Sequence, residues 1–409
     1  MQNSKHIKAA DVPAYAKLGL DSITGVVDLV EAMHATIARR ASPINNHSDN
    51  RTAGITGLVY RSIRAVPNLM ADGIDSVLPA FDALTDENTS SREREIVLAA
   101  LNGVLGDRLE ESNNPLAIQM SFRIGGQRLP LQKQALAATV HRPKRKILLL
   151  VHGLCMNDLQ WDRDNHSHGT ALAAELGYTE VHVRYNSGRH ISHNGQELAS
   201  CIEELLAHWP VSVEELVIVA HSMGGLLSRS ALHYATLSNH DWPQSLRKLV
   251  FLGTPHHGAP LERGGNWLDA IIEFSPFTAP FSRLSKVRSA GITDLRYGNL
   301  VDEDWNATDR FERSGDQRQP VPLPEGVQYY ALAATRTEQA GVLANKLVGD
   351  GLVPIESALG QHSNPDFCLT IAEDNKAVQY EMNHFDLLGH PKVFAQLRSW
   401  LTQNGHVPH

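Results

Sequence analysis

The segment 217–225 joins an apolar strand pattern to a helix pattern through a single serine. It reads Val217-Ile218-Val219-Ala220-His221-Ser222-Met223-Gly224-Gly225. A serine nucleophile at the tip of such a turn has a strained backbone, and the residues two before and two after it approach each other closely. Ala220 and Gly224 are small enough for that approach. The segment therefore predicts a nucleophile elbow at Ser222. The alternative is an ordinary strand-to-helix turn.

Strand patterns and helix patterns alternate on both sides of this turn. Strand patterns cover 146–151, 180–185, 215–220, 246–252, 327–333 and 366–372, and helix patterns cover 170–176, 195–208 and 223–235. A hairpin pattern precedes them, and a last helix pattern follows Pro391. Such alternation is typical of a mostly parallel sheet with helices on both faces. We therefore expect an α/β fold with about eight strands.

Two parts of the chain depart from this alternation. Residues 1–112 have helical periodicity, so we expect an all-helical N-terminal region before an α/β domain of residues 113–409. Interior glycines such as Gly103 cost a helix up to about 1 kcal/mol each against alanine, so these helices must pack against something. From 258 to 324 the alternation breaks down, which predicts a lid or cap insertion.

Aromatic side chains of this insertion either contact an apolar substrate group or pack against the sheet. The candidates for substrate contact are Trp267, Phe274 and Phe277.

Composition excludes several classes of protein. The 409 residues carry a formal net charge of −8, which argues against a nucleic-acid partner. No stretch reaches the 18 or more apolar residues of a membrane-spanning helix, and the first residues lack the apolar core of a signal peptide. Three scattered cysteines predict reduced thiols in place of a disulfide framework. We therefore expect a cytoplasmic protein.

Three further segments resemble motifs of a known family. Val151-His152-Gly153-Leu154 is similar to the oxyanion loop of bacterial lipases, Leu252-Gly253-Thr254-Pro255-His256-His257-Gly258 to their Gly-Thr-Pro-His segment, and Gly349-Asp350-Gly351-Leu352-Val353-Pro354 to their acid loop. Together with the serine turn, they make residues 115–409 resemble the lipase and esterase group of the α/β-hydrolase superfamily. Within that group, these motifs resemble those of triacylglycerol-lipase-like and inositol-deacylase-like hydrolases.

A serine nucleophile needs a base, and the base needs a carboxylate that orients it. In this fold the chain order is serine, acid, histidine. Asp350 follows a late strand pattern between two glycines and is the candidate acid; the alternative is a plain Asp-Gly turn. Among 21 histidines, His384 lies between the last strand pattern and the last helix and is the candidate base. His390 competes, but its position directly before Pro391 favours a residue that begins that helix.

Two backbone N–H groups are expected to form the oxyanion hole. Met223 follows the serine and supplies one donor. The resemblance implies Leu154 as the other. Its neighbour Cys155 is interpreted as a packed thiol. The side chain of His221 is expected to point away from Ser222 and to pack or to form a surface hydrogen bond.

No metal or cofactor is expected. The spacing of Asp162, Asp164, His166 and His168 fits neither a zinc helix nor a calcium loop, which favours a solvated loop. Arg189 either contacts an anionic substrate group or belongs to a turn.

The sequence thus predicts a serine esterase or lipase that acts through an acyl-enzyme on a small-molecule ester or lipid. One alternative is acyl transfer to an alcohol by the same residues. Another is a docking protein whose N-terminal helices bind a lipid surface, a storage granule or a partner chain. The favoured interpretation is that those helices cover the α/β domain or form a homo-oligomer interface.

Overall fold

The computed structural model describes residues 92–163, 165–259, 288–306, 316–338 and 349–403. Most of the predicted N-terminal region, residues 1–91, lies outside the described residues, as do parts of the predicted lid. The division at 112/113 and the lid therefore stay predictions.

Eight of the described strands form one sheet in the order β10-β9-β8-β7-β3-β6-β1-β2. The strands are β1 (Ser121–Ile124), β2 (Gln127–Arg128), β3 (Lys146–Val151), β6 (Thr179–Arg184), β7 (Glu215–His221), β8 (Leu246–Leu252), β9 (Gln328–Thr335) and β10 (Lys376–Tyr380), and a separate two-stranded sheet pairs β4 (Asp162–Arg163) with β5 (His166–Ser167). The pairs from β6 through β10 are parallel, whereas β1 is antiparallel to β2 and β6. The predicted α/β fold with about eight strands is confirmed.

The central strands are continuous apolar runs because both faces of the sheet are covered. Val151 of β3 pairs with Ala220 of β7, and His221 of β7 pairs with Leu252 of β8. The carboxyl ends of these three strands therefore meet at one edge of the sheet. The loops that follow them lie side by side at that edge, where α/β folds place functional loops.

The described helices cover the sheet. They are α1 (Arg92–Glu111), α2 (Lys133–Thr139), α3 (His168–Leu176), α4 (Ile191–His208), α5 (Met223–Leu237), α6 (Ala290–Asp294), α7 (Ile355–Ala358) and α8 (Pro391–Thr402). Helices α4 and α5 pack against each other. They approach so closely at Gly195 of α4 that a Cβ there would overlap the Ser230 hydroxyl of α5. Among the described helices, none is long and apolar enough to cross a membrane.

Helix α1 shares one hydrophobic core with the sheet. Its buried residues Val97, Leu101, Val104, Leu105 and Leu109 belong to the same cluster as the residues of the central strands. The last turns of the predicted N-terminal region are therefore part of the packing of the α/β domain.

One strand prediction is wrong. A strand was expected over 366–372, but Pro365–Phe367 form a 3₁₀ turn and the last strand is β10, further along the chain. Pro365 has no N–H to donate to a ladder, and the Asn364 side chain accepts a hydrogen bond from Asp366 N. Local turn chemistry thus overrides the alternation of apolar residues in this segment.

Candidate active site

Ser222 lies at the tip of a tight turn between β7 and α5. Its φ of 55° and ψ of −126° are rare for a residue with a side chain. The Ser222 N–H donates to Leu252 O at 2.9 Å, and this bond anchors the turn to the neighbouring strand. Strained conformations of this kind persist where the surroundings enforce them, and they cluster at functional sites. The backbone has the strained turn that the sequence predicts.

Close backbone contacts surround this turn. A Cβ at Gly224 would lie 2.5 Å from the carbonyl oxygens of Val151 and His152, and one at Gly153 would lie 3.0 Å from Ser222 Cβ. A side chain at Gly224 would therefore overlap the backbone at the end of β3 and at the residue that follows it. The loop after β3 consequently lies directly against Ser222.

Asp350 and His384 form a buried pair. His384 Nδ1 lies 2.7 Å from Asp350 Oδ2, and the two side chains are only 2% and 1% exposed. The other carboxylate oxygen accepts hydrogen bonds from Leu352 N at 2.9 Å and Val353 N at 2.8 Å. The carboxylate is therefore fixed in place and can accept a hydrogen bond from His384 Nδ1–H.

His390, the competing histidine, caps α8. Its side chain accepts a hydrogen bond from Lys392 N at 3.2 Å, as expected of a residue that begins the helix.

The second ring nitrogen of His384 is available. His384 Nε2 is buried and has no hydrogen-bond partner among the described residues. No hydrogen bond therefore joins it to Ser222 Oγ, and such bonds are often formed only when substrate is bound. With the proton on Nδ1, Nε2 has a free lone pair that can accept a proton.

His221 connects the serine turn to His384. Its Nε2 lies 3.1 Å from the His384 carbonyl oxygen, and the two ring centroids are 4.7 Å apart. His221 is fully buried, so it packs rather than forming a surface hydrogen bond. Burial and the neighbouring His384 hold the pKa of His221 well below its usual value. A neutral His221 can donate from Nε2 to that carbonyl, a role that the sequence did not indicate.

Two N–H groups are the candidates for the oxyanion hole. Met223 is the first residue of α5, so its N–H has no acceptor within the helix. The Gly153–Leu154 peptide is oriented by His152, whose Nδ1 lies 2.8 Å from Gly153 O. In a trans peptide the N–H points opposite to the carbonyl, so the Leu154 N–H points away from His152.

His152 is held in one tautomer. Burial lowers the pKa of His152 to about 4, so the ring is neutral near pH 7. Its Nε2 accepts a weak hydrogen bond from Tyr185 N at 3.4 Å, which leaves Nδ1 as the donor to Gly153. The Tyr185 ring stacks on it with centroids 4.3 Å apart, and the Tyr185 hydroxyl donates to His152 O at 2.9 Å.

Helix α1 packs against the loop that follows β3 and contains Leu154 and Cys155. Gly103 packs on Cys155, and Gly106 packs on Asn186 so closely that a Cβ would lie 2.7 Å from its Cγ. Cys155 N donates to Ser187 Oγ at 3.1 Å. The packing partner that the sequence required for Gly103 is thus the loop beside Ser222. Burial raises the pKa of the Cys155 thiol to about 12, in accord with a packed, unreactive thiol.

The residues considered for a metal lie in the β4–β5 hairpin and at the start of α3. His166 Nε2 and His168 Nδ1 are 2.9 Å apart, and both rings pack on Phe394. Asp164 lies outside the described residues. In the described part of the chain, no three His, Cys, Asp or Glu side chains are grouped as metal ligands.

Arg189 is engaged by carboxylates of this chain. It forms ion pairs with Glu110 at 2.6 Å and with Glu197. Its surroundings are those of a turn, in which Gly188 N donates to Asn186 Oδ1 at 3.1 Å.

Three candidates for substrate contact lie outside the described residues: Trp267, Phe274 and Phe277.

Residues 144–319 match the family model of a PGAP1-like alpha/beta domain. The match includes Ser222 and ends before Asp350 and His384. Among curated proteins, the comparison finds no match to this chain.

The similar solved structures include lipases and esterases. A Bacillus licheniformis lipase in its mature form is 18% identical, with 70% of this chain and 98% of that chain covered and a TM-score of 0.42. The match to the propeptide form of the same lipase covers 53% of that chain. Lipase B of Aspergillus fumigatus is 12% identical, with 69% and 60% covered and a TM-score of 0.38.

An esterase of Pyrococcus furiosus is 10% identical, with 63% of this chain and 79% of that chain covered and a TM-score of 0.38. At these identities, no substrate of these proteins is transferred to this chain. The sheet order and the family match agree with the resemblance drawn from the motifs. The chain therefore has an α/β fold built on a mostly parallel eight-stranded sheet, and residues 144–319 are similar to a PGAP1-like alpha/beta domain.

Proposed function

We propose that this protein is a serine hydrolase that cleaves carboxylic esters of small molecules or lipids through an acyl-enzyme. One observation carries the proposal. A buried Asp350–His384 pair, with a free Nε2 on the histidine, contacts His221, the residue before a serine in a strained strand-to-helix turn. A carboxylate, an imidazole and a serine in that chain order are the components of a hydrolase triad.

In the first half of the reaction, Ser222 Oγ attacks the ester carbonyl while His384 Nε2 takes its proton. Asp350 holds the Nδ1 proton in place and stabilises the imidazolium that forms. The N–H groups of Met223 and Leu154 donate to the developing oxyanion. His384 then protonates the departing alcohol, and the acyl group remains on the serine.

In the second half, His384 Nε2 removes a proton from water, and the resulting hydroxide attacks the acyl-enzyme. Collapse of this second intermediate releases the carboxylic acid and returns the proton to Ser222. A preference for an apolar acyl group rests on the aromatic composition of the predicted lid and is part of the proposal.

The direct experiment measures hydrolysis of p-nitrophenyl esters from acetyl to palmitoyl. We expect activity in the native protein, a loss in kcat of about 10⁶-fold in Ser222→Ala and about 10⁴-fold in Asp350→Asn. His390→Gln is the matched control, because this histidine caps α8, and we expect it to retain kcat. Absence of hydrolysis of every ester would contradict the proposal.

Product analysis separates hydrolysis from acyl transfer. We expect the free acid as the main product, and its replacement by a new ester when an alcohol is added at low concentration would favour the transferase alternative.

A further inference from the structure

A small cavity lies beside Arg229 of α5, about two helical turns along the helix from the serine turn. It has a volume of about 50 Å³ and is bounded by α5, the segment 256–257 and loops of 318–323 and 366–370. This volume admits a few water molecules or one ion of the size of phosphate. Four basic side chains line it: Arg229, His256, His257 and Arg318.

Arg229 is a buried guanidinium with incomplete hydrogen bonding. It is only 6% exposed, and one Nη donates to Val321 O at 2.8 Å while the other lies 3.3 Å from His256 Nδ1. Its Nε has no hydrogen-bond partner, and among the described residues no carboxylate accepts a hydrogen bond from Arg229. Buried arginines are almost always paired, because an uncompensated charge is costly in a low-dielectric interior.

His256 adds a second donor without a partner. It is fully buried, and burial together with the adjacent Arg229 holds its pKa well below the usual value, so the ring is neutral. Since Nδ1 accepts from Arg229, the proton is on Nε2. That nitrogen has no hydrogen-bond partner among the described residues.

Two carboxylates near the cavity are bound to other groups. Asp316 binds Arg318 through both oxygens, at 2.9 and 2.8 Å. Asp304 accepts hydrogen bonds from three backbone N–H groups. Asp366 lines the rim and is exposed. Burial and the proximity of Arg318 lower the pKa of Arg229 to about 9, consistent with a cation that lacks a counter-charge.

We propose that this cavity binds a small phosphate-type anion through Arg229 Nε–H and His256 Nε2–H, with Arg318 contributing positive charge. The ligand is a free phosphate or the phosphate of a headgroup. Arg229 lies seven residues after Ser222 on α5, about two helical turns away, so this site is separate from the serine turn. The proposal does not depend on the proposed ester hydrolysis.

The test is calorimetric titration of the full chain with sodium phosphate against sodium chloride at equal ionic strength. We expect saturable binding of phosphate by the native protein, and Arg229→Met to weaken it about tenfold or more, since a hydrogen bond to a charged group contributes about 1.5–3 kcal/mol. Arg145→Met is the matched control, because Arg145 lies on the surface and pairs with Glu214, and it should bind phosphate as the native protein does.

Arg229→Lys covers the case in which the methionine variant does not fold. It keeps the charge and removes the Nε–H, so phosphate should bind more weakly than to the native protein. The proposal is overturned if the native protein binds neither free phosphate nor phosphatidic acid vesicles, or if a folded Arg229 variant binds phosphate as tightly as the native protein.

Flotation with vesicles identifies the source of the anion. Vesicles of phosphatidylcholine with phosphatidic acid are compared with phosphatidylcholine alone. Flotation that needs phosphatidic acid and Arg229 supports a headgroup phosphate; phosphate titration without flotation supports the free ion. Flotation that is equal for the native protein and the Arg229 variants, with no response to free phosphate, counts against the site.

Discussion

Gly103 of α1 packs directly against Cys155, the residue after Leu154. A Cβ at Gly103 would overlap the Cys155 Sγ and would lie 3.0 Å from the Cys155 N and Cα. Because Leu154 is the proposed oxyanion donor, this contact connects the packing of α1 to the geometry of the proposed site.

Replacing Gly103 by alanine tests that connection. We expect Gly103→Ala to reduce the free energy of unfolding by about 1–3 kcal/mol, as overpacking does, and to lower kcat by displacing the loop. Adding Cys155→Ala should restore part of both losses, since it removes the overlapping Sγ. Denaturant unfolding and ester hydrolysis are the measurements. A Gly103→Ala protein with native stability and kcat would contradict this role of α1.

The orientation of the Leu154 N–H depends on His152. In His152→Phe the ring can still stack on Tyr185, but the hydrogen bond to Gly153 O is lost. We expect kcat to fall about tenfold to a thousandfold with little change in KM, because the donor acts chiefly on the oxyanion. Tyr185→Phe keeps the stack and removes only the bond to His152 O, so its effect should be smaller. Equal kcat in His152→Phe and native protein would show that His152 does not position the Leu154 N–H.

Stability is expected to fall steeply in mild acid. Burial lowers the pKa of several histidines from 6.5, to about 4 for His152 and His168, to about 3 for His257, and well below 6.5 for His221 and His256. For His152, His168 and His257, the unfolded chain binds protons over this range that the folded chain does not. Each of these three histidines therefore removes about 1.4 kcal/mol of stability per pH unit as the pH falls from about 6.5 to about 4.

Urea unfolding over this pH range measures the effect. His168→Gln should flatten the pH dependence by about the contribution of one histidine, and the exposed His141→Gln serves as the control. A free energy of unfolding that stays constant from neutral pH to about pH 4 would show that these histidines are not buried as neutral groups.

Strain at the serine turn predicts that glycine in place of Ser222 stabilises the fold relative to alanine, although both variants are inactive. Glycine adopts the positive φ of Ser222 without a steric penalty. We therefore expect Ser222→Gly to be more stable than Ser222→Ala by about 1 kcal/mol or more, with no esterase activity in either. Thermal unfolding of the two variants decides it. If alanine is as stable as glycine at this position, the turn is not strained.

The fold could be predicted where burial on both faces of the sheet requires a continuous run of apolar residues. Strands β3 and β8 are continuous apolar runs, and their predicted bounds match the structure. The edge strand β10 is half-buried along its whole length and is not a continuous apolar run. The alternating apolar residues of 366–372 therefore gave the stronger strand pattern. Those side chains include buried Leu369 and Ile371, which fill the core from a loop.

The candidate site could be predicted only as far as local motifs reach. The turn at Ser222 and the Asp350–His384 pair follow from chain order and flanking residues. The contact of Gly103 with Cys155 and the hydrogen bond from His221 to the His384 carbonyl join distant parts of the chain. Only the folded packing reveals them, although an interior glycine in α1 already indicated that a close partner exists.

Covalent labelling with a fluorophosphonate tests the central claim most directly, because this reagent reacts with an activated serine hydroxyl. Peptide mass spectrometry of the labelled protein should show a single adduct on Ser222, and His384→Gln should lose it while remaining folded. An adduct on another residue, or none in a native protein that still hydrolyses esters, would contradict the account.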